Sequence, residues 1–173
     1  MKTLTFLTRC CLIAVVLAAS YSMTVAEEPS EAALNRARKT TQMLDTIYKN
    51  AVVLITDKYV HDEDDFAAGS AAVALFKNVS EGGSHHVRLL DVSGKPYDEK
   101  NVAKDDFEKA GVKALKSGKA TFEKVVQIDG KPHLRTLTSV PVVMDKCIMC
   151  HSHYADAKKG EAIGAISYTL AIE

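Results

Sequence analysis

The stretch Ala120–His151, ATFEKVVQIDGKPHLRTLTSVPVVMDKCIMCH, holds two signals whose order decides the fold. Its first part has strand character and divides at Asp129-Gly130, a dipeptide suited to a two-residue hairpin turn because both central positions need positive φ. Strands are expected over about residues 120–128 and 132–143. The stretch ends in Cys147-Ile148-Met149-Cys150-His151. Two thiols three positions apart can each add across one vinyl group of a porphyrin, and the next residue brings an imidazole to the iron, which is the spacing of a c-type haem attachment site. Cys147 and Cys150 are read as the thioether positions and His151 as the proximal ligand, with one haem c per chain. A zinc site would want four ligands, and His153 is the only nearby addition to the set. A redox C-x-x-C would open a helix after a strand and has no use for an adjoining histidine.

Downstream of the motif, a polar loop ends at Lys158-Lys159-Gly160, and residues 162–172 read as a last strand. Upstream, residues 105–117 read as a helix with Phe107, Ala110, Ala114 and Leu115 inward, stopped at Gly118. Before it, residues 85–92 have strand character, bounded by Glu81-Gly82-Gly83 and by a turn at Ser93-Gly94-Lys95-Pro96. A small-residue-rich helix is expected from Asp65 to about Asn78. A long one is expected from Glu31 to about Val60, with Leu34, Ala37, Thr41, Leu44, Tyr48, Ala51 and Ile55 at alternating three- and four-residue steps. Such a stripe fits core packing, and its length keeps a homodimer through this helix open. The run His61-Asp62-Glu63-Asp64-Asp65 lacks the spacing and glycine of a calcium loop and reads as a solvated acidic turn. With helices gathered to one side of antiparallel strands, the whole is an α+β domain.

Residues 1–26 have the three parts of a secretory signal: Lys2 and Arg9, the apolar stretch Cys10–Ala19, and a small-residue end at Thr24-Val25-Ala26. The apolar stretch is too short to span a bilayer core of ~30 Å, so cleavage after Ala26 is expected, with release of a soluble chain to the periplasm. Of the 173 residues, 147 then remain as one domain, 27–173, with two of the four cysteines, both in the motif. Twenty basic residues face 22 acidic ones, a net charge of about −2 that gives no footprint for nucleic acid.

The stretches Val87-Arg88-Leu89-Leu90-Asp91, Gly94-Lys95-Pro96, Asp106-Phe107-Glu108, Leu137–Val143, the C-x-x-C-H and Gly164-Ala165-Ile166-Ser167 together resemble a PAS-like, haem-binding domain family of periplasmic monohaem c-type proteins. The likeness runs over about residues 31–173. It implies a PAS-like antiparallel sheet whose covalently bound haem is covered by the N-terminal helices, and related sensor domains bring signalling into view. In some members the second axial ligand is a cysteine of the first helical segment. This chain departs from that pattern, having no cysteine outside the motif once the signal is removed.

For the sixth iron position the sequence offers His61, at the end of the long helix, and His85, which in a strand would share a face with Val87 and Leu89. His133, His153, Met144 and Met149 have weaker claims, and an open site is a further alternative. An open site would take NO, CO or O2, with Tyr59 and Arg88 as candidate hydrogen-bond donors. Three roles follow: a periplasmic electron carrier with a separate redox partner, a haem-based sensor of a diatomic gas or of redox state with a signalling partner, and an enzyme. No set of acid-base groups beside an open iron is visible in the sequence, so the carrier is placed first and the enzyme last.

Overall fold

The computed structural model describes residues 28–62 and 65–173, so the proposed signal at 1–26 lies outside the described residues. The elements in order are α1 (Glu31–Tyr59), α2 (Ala68–Glu81), β1 (His86–Asp91), a 3-10 turn at Glu99–Asn101, α3 (Asp106–Lys116), β2 (Thr121–Ile128), β3 (Lys131–Pro141), α4 (Lys146–Cys150), a 3-10 segment at Ser152–Asp156, and β4 (Ala162–Ala171). Among the described residues no helix is long and apolar enough to cross a membrane.

Helix α1 starts where Ser30 Oγ accepts the Ala33 N–H at 3.2 Å. Its 29 residues extend roughly 43 Å at about 1.5 Å per residue. The face carrying Ala33, Ala37, Thr41, Tyr48 and Thr56 is buried, and the two threonine hydroxyls satisfy themselves on the carbonyls of Ala37 and Val52 at 2.9 and 2.8 Å. Helix α2 begins at Ala68, three residues later than expected from the sequence. The Asp65 carboxylate is already engaged, accepting the backbone N–H groups of His61 and Asp62 at 2.6 and 3.2 Å, which ties the residue into a turn.

The hairpin forms as expected: Asp129 and Gly130 adopt φ of 51° and 73° between β2 and β3. The four strands form one antiparallel sheet in the order β1-β4-β3-β2. Edge strand β1 is guarded by Ser80, whose hydroxyl bonds both the N–H and the C=O of Val87 at 3.0 and 3.2 Å.

The helices lie on both faces of the sheet, against the expectation that they gather on one. Helices α1 and α2 bury Tyr48, Ala72 and Phe76 against Val87, Ile166, Tyr168 and Leu170. Phe107 and Leu115 of α3 pack with Leu90, Leu137 and Ala165, which alternate with the first set along their strands and so point the other way. Gly111, not Ala110, meets the sheet: a Cβ there would come within 2.6 Å of the Leu137 side chain, and Ala110 is exposed. Tyr168 is fully buried, and its hydroxyl donates to Asp45 Oδ1 at 3.1 Å beside the Thr138 hydroxyl at 2.5 Å. Burial and the Asp45 charge push the Tyr168 hydroxyl far up, so it keeps its proton and its hydrogen bond.

The register places the ends of all four strands. Asp91 of β1, Gly164 of β4 and Val140 of β3 lie together at one end, while His86, Thr169 and Arg135 line up toward the other. The C-x-x-C-H segment joins Pro141 to Ala162 and therefore belongs to the first end.

Candidate functional site

The C-x-x-C-H segment coils into α4, a single short helix, opened by Cys147 N–H to Met144 O at 3.1 Å and Ile148 N–H to Asp145 O at 2.9 Å. A helix brings residues three apart onto one side, which is the arrangement that two thiols need to reach a common flat group. Cys147 is a free, half-buried thiol. The chain leaves the helix at His151, with φ −129° and ψ 69°.

The His151 ring stacks on Tyr154 at 4.7 Å and meets the edges of Tyr97 at 5.4 Å and His153 at 5.8 Å. His151 Nδ1 and His153 Nε2 are buried without hydrogen-bond partners, a cost of ~1–3 kcal/mol for each group left so. Burial lowers the His151 pKa, reinforced by neighbouring His153 and opposed by Asp91, so the ring is held neutral, the form that binds a metal. Tyr154 is pushed up by burial, then by Asp91 and Cys147, and stays protonated. Tyr97 and Tyr154 were not singled out in the sequence: Tyr154 could have been found three residues past His151, whereas Tyr97 comes from a remote loop.

Lys146 is a further residue that sequence reasoning passed over. Its ammonium donates to the carbonyls of Asp57 and Val60 at 2.7 and 2.8 Å, answering the unpaired C-terminal carbonyls of α1 and fastening the motif helix to that end. Several large exposed apolar side chains lie on segments bordering the motif: Tyr97, Val143, and Tyr59 at the end of α1. Exposed apolar side chains on these segments, a half-buried thiol at Cys147 and an unpaired, buried Nδ1 on His151 fit a covalently attached porphyrin. Among the described residues no group of three or more His, Cys, Asp or Glu is gathered to hold a metal ion.

The two distal candidates are separated by the fold. His61 follows directly on Val60, beside the Lys146 clamp, and its ring is exposed. His85 stands at the start of β1, the opposite end of the sheet, with Nε2 bonded to the Tyr48 hydroxyl at 2.8 Å and Nδ1 to the Ser84 hydroxyl at 3.3 Å. Arg88 is also occupied elsewhere, donating to Glu108 and to the carbonyls of Lys100 and Val102.

Burial, then neighbouring His86, depresses the His85 pKa, while burial raises Tyr48, so a protonated phenol donates to a neutral imidazole. A base whose folded pKa lies below its unfolded value of about 6.5 adds stability above that pH, and the contribution is lost as pH falls toward the folded pKa. The denaturant midpoint is therefore expected to drop between about pH 7 and pH 5 by more in the wild type than in His85→Gln. Equal slopes for the two proteins would mean that His85 is not the group responsible.

The Tll0287-like family matches residues 25–170, which take in both motif cysteines and His151. Among solved structures the chain is similar to one described as "Crystal structure of the cyanobacterial heme-protein Tll0287", with 13% identity and a TM-score of 0.52, over 82% of this chain and 96% of that one. At that identity the likeness shows a common fold. None of the curated proteins matches.

Proposed function

The chain belongs to the Tll0287-like family, and from that premise we propose that it is an exported monohaem c-type cytochrome that transfers electrons in the periplasm to or from a separate protein. The observation that carries the reading is the half-buried, neutral imidazole of His151, its Nδ1 buried without a partner, standing directly after two cysteines on one helical turn. The related haem protein of the same fold supports it.

In this reading Cys147 and Cys150 hold the group through thioether bonds. A haem supplies a reversible one-electron couple at its iron. The protein's part is to bind and orient. His151 would hold the iron, Tyr154 and Tyr97 pack against its ring, and Lys146 holds the motif against α1. A site that carries electrons would keep its surroundings unchanged between the two oxidation states, so that little rearranges when the electron moves.

The dithionite-reduced protein should then show a low-spin spectrum, titrate as a single one-electron centre, and react with CO only slowly. Rapid formation of a CO complex would overturn the carrier reading and install the alternative, a receptor for NO, CO or O2. Its mass, taken from the periplasmic fraction of the native host, should begin at or within a few residues of Glu27.

A further inference from the structure

We infer that His61 supplies the sixth ligand, through a junction in which Lys146 locks the end of α1 to the motif helix; this rests on the haem reading above. Six histidines are present, and the fold sorts them by position. His86 pairs with Thr169 and lies five strand positions from Asp91, roughly 17 Å at about 3.3 Å per residue. Asp91 pairs with Gly164 at the end of the sheet where the motif segment leaves Pro141 and rejoins at Ala162, so His85 and His86 stand a strand's length from the motif. His133 pairs with Ala171 near the hairpin turn, and its Nδ1 is bonded to Lys131 O at 3.0 Å. His153 is two residues past His151 on the same 3-10 turn and packs against the same tyrosine, so it shares the proximal side.

His61 differs from all of these. Val60 is 2% exposed and its carbonyl is bound by the ammonium of the residue preceding Cys147, so the backbone at His61 is one residue from a fixed point on the motif. Asp65 holds the His61 N–H at 2.6 Å, fixing that backbone from the other direction, while the ring itself is exposed and enters none of the contacts that engage His85, His133, His151 and His153. An imidazole anchored by its main chain, its ring in no hydrogen bond or ring contact and with only the Asp65 charge beside it, is placed to ligate. Met144 is excluded by its position, since its carbonyl accepts the Cys147 N–H inside the turn that opens the motif helix.

The test uses the holoprotein. Pyridine haemochrome on the wild type comes first, and a missing haem would overturn the parent reading instead of this one. With haem present, His61→Gly should convert a low-spin spectrum to high spin. Its ferrous form should take CO ~10-fold faster or more, because an internal ligand reduces apparent binding by the fraction of time that it occupies the site. Added imidazole should restore the low-spin spectrum of His61→Gly, which a merely structural role would not produce. His85→Ala should leave spectrum and CO rate unchanged. A wild type already high-spin and fast with CO, or a His61→Gly protein with the wild-type spectrum, overturns the assignment.

Discussion

Replacing Cys147 and Cys150 together by alanine should yield a protein from which acid acetone removes every trace of haem, whereas the wild-type haem should stay with the polypeptide. The expected change is all or none, because the thioethers are the only covalent links that the chain can offer: Cys10 and Cys11, the remaining cysteines, fall within the proposed signal. Each single replacement should leave one link and a pyridine haemochrome band shifted to longer wavelength by the surviving vinyl group. Wild-type haem that extracts freely, or stoichiometric zinc in its place, would end the central claim.

The largest stability effect is expected at Glu108. Its side chain is 3% exposed and its Oε2 accepts from Arg88 Nη1 at 2.5 Å and from the Lys104 N–H at 2.8 Å, while its Oε1 faces Arg135 at 3.8 Å. Both arginines are 17% exposed, and Arg135 is further held by Asp105 at 2.7 Å and by the face of Phe107 at 4.3 Å. The pair fastens α3 to the sheet. Removing one partner of a buried ion pair leaves the other as an uncompensated charge, at a cost of about 3–5 kcal/mol, far above what the solvent-screened pair Arg38–Glu31 contributes. Glu108→Ala should therefore lower the midpoint of urea unfolding strongly at unchanged slope, and Glu108→Gln, which keeps the shape and loses the charge, should fall between. A loss below about 1 kcal/mol for the alanine variant would show that water replaces the carboxylate and that the pair is not structural.

Glu108 also shows where sequence reading reached its limit. The period of α3 places residues 107, 108, 111 and 115 on one side, and the buried set is Phe107, Glu108, Gly111 and Leu115. A reading by apolar character takes Ala110 and Ala114 inward instead, because neither a carboxylate nor a glycine marks itself as core. What makes both suitable lies elsewhere in the chain: arginines on β1 and β3 for Glu108, and the Leu137 side chain at Gly111.

The features legible in advance depend on neighbours within a few positions. Ser30 finds the N–H of Ala33, Asp129-Gly130 takes up positive φ without help from the rest of the chain, and the two cysteine positions of the C-x-x-C-H fall on one turn because of their spacing. Local dihedral preference and hydrogen-bond reach are properties of short segments, so the sequence alone determines them. The tertiary structure decided what depends on distant partners. β1 pairs with β4 across more than 70 residues, which places α3 opposite α1 and α2, carries His85 to the far end, and brings Tyr97 to His151. The Lys146 ammonium likewise finds the Asp57 carbonyl 89 residues away, and so sets His61 beside the motif. Those contacts arise from burying apolar faces against one another, a global balance of packing that no single segment encodes.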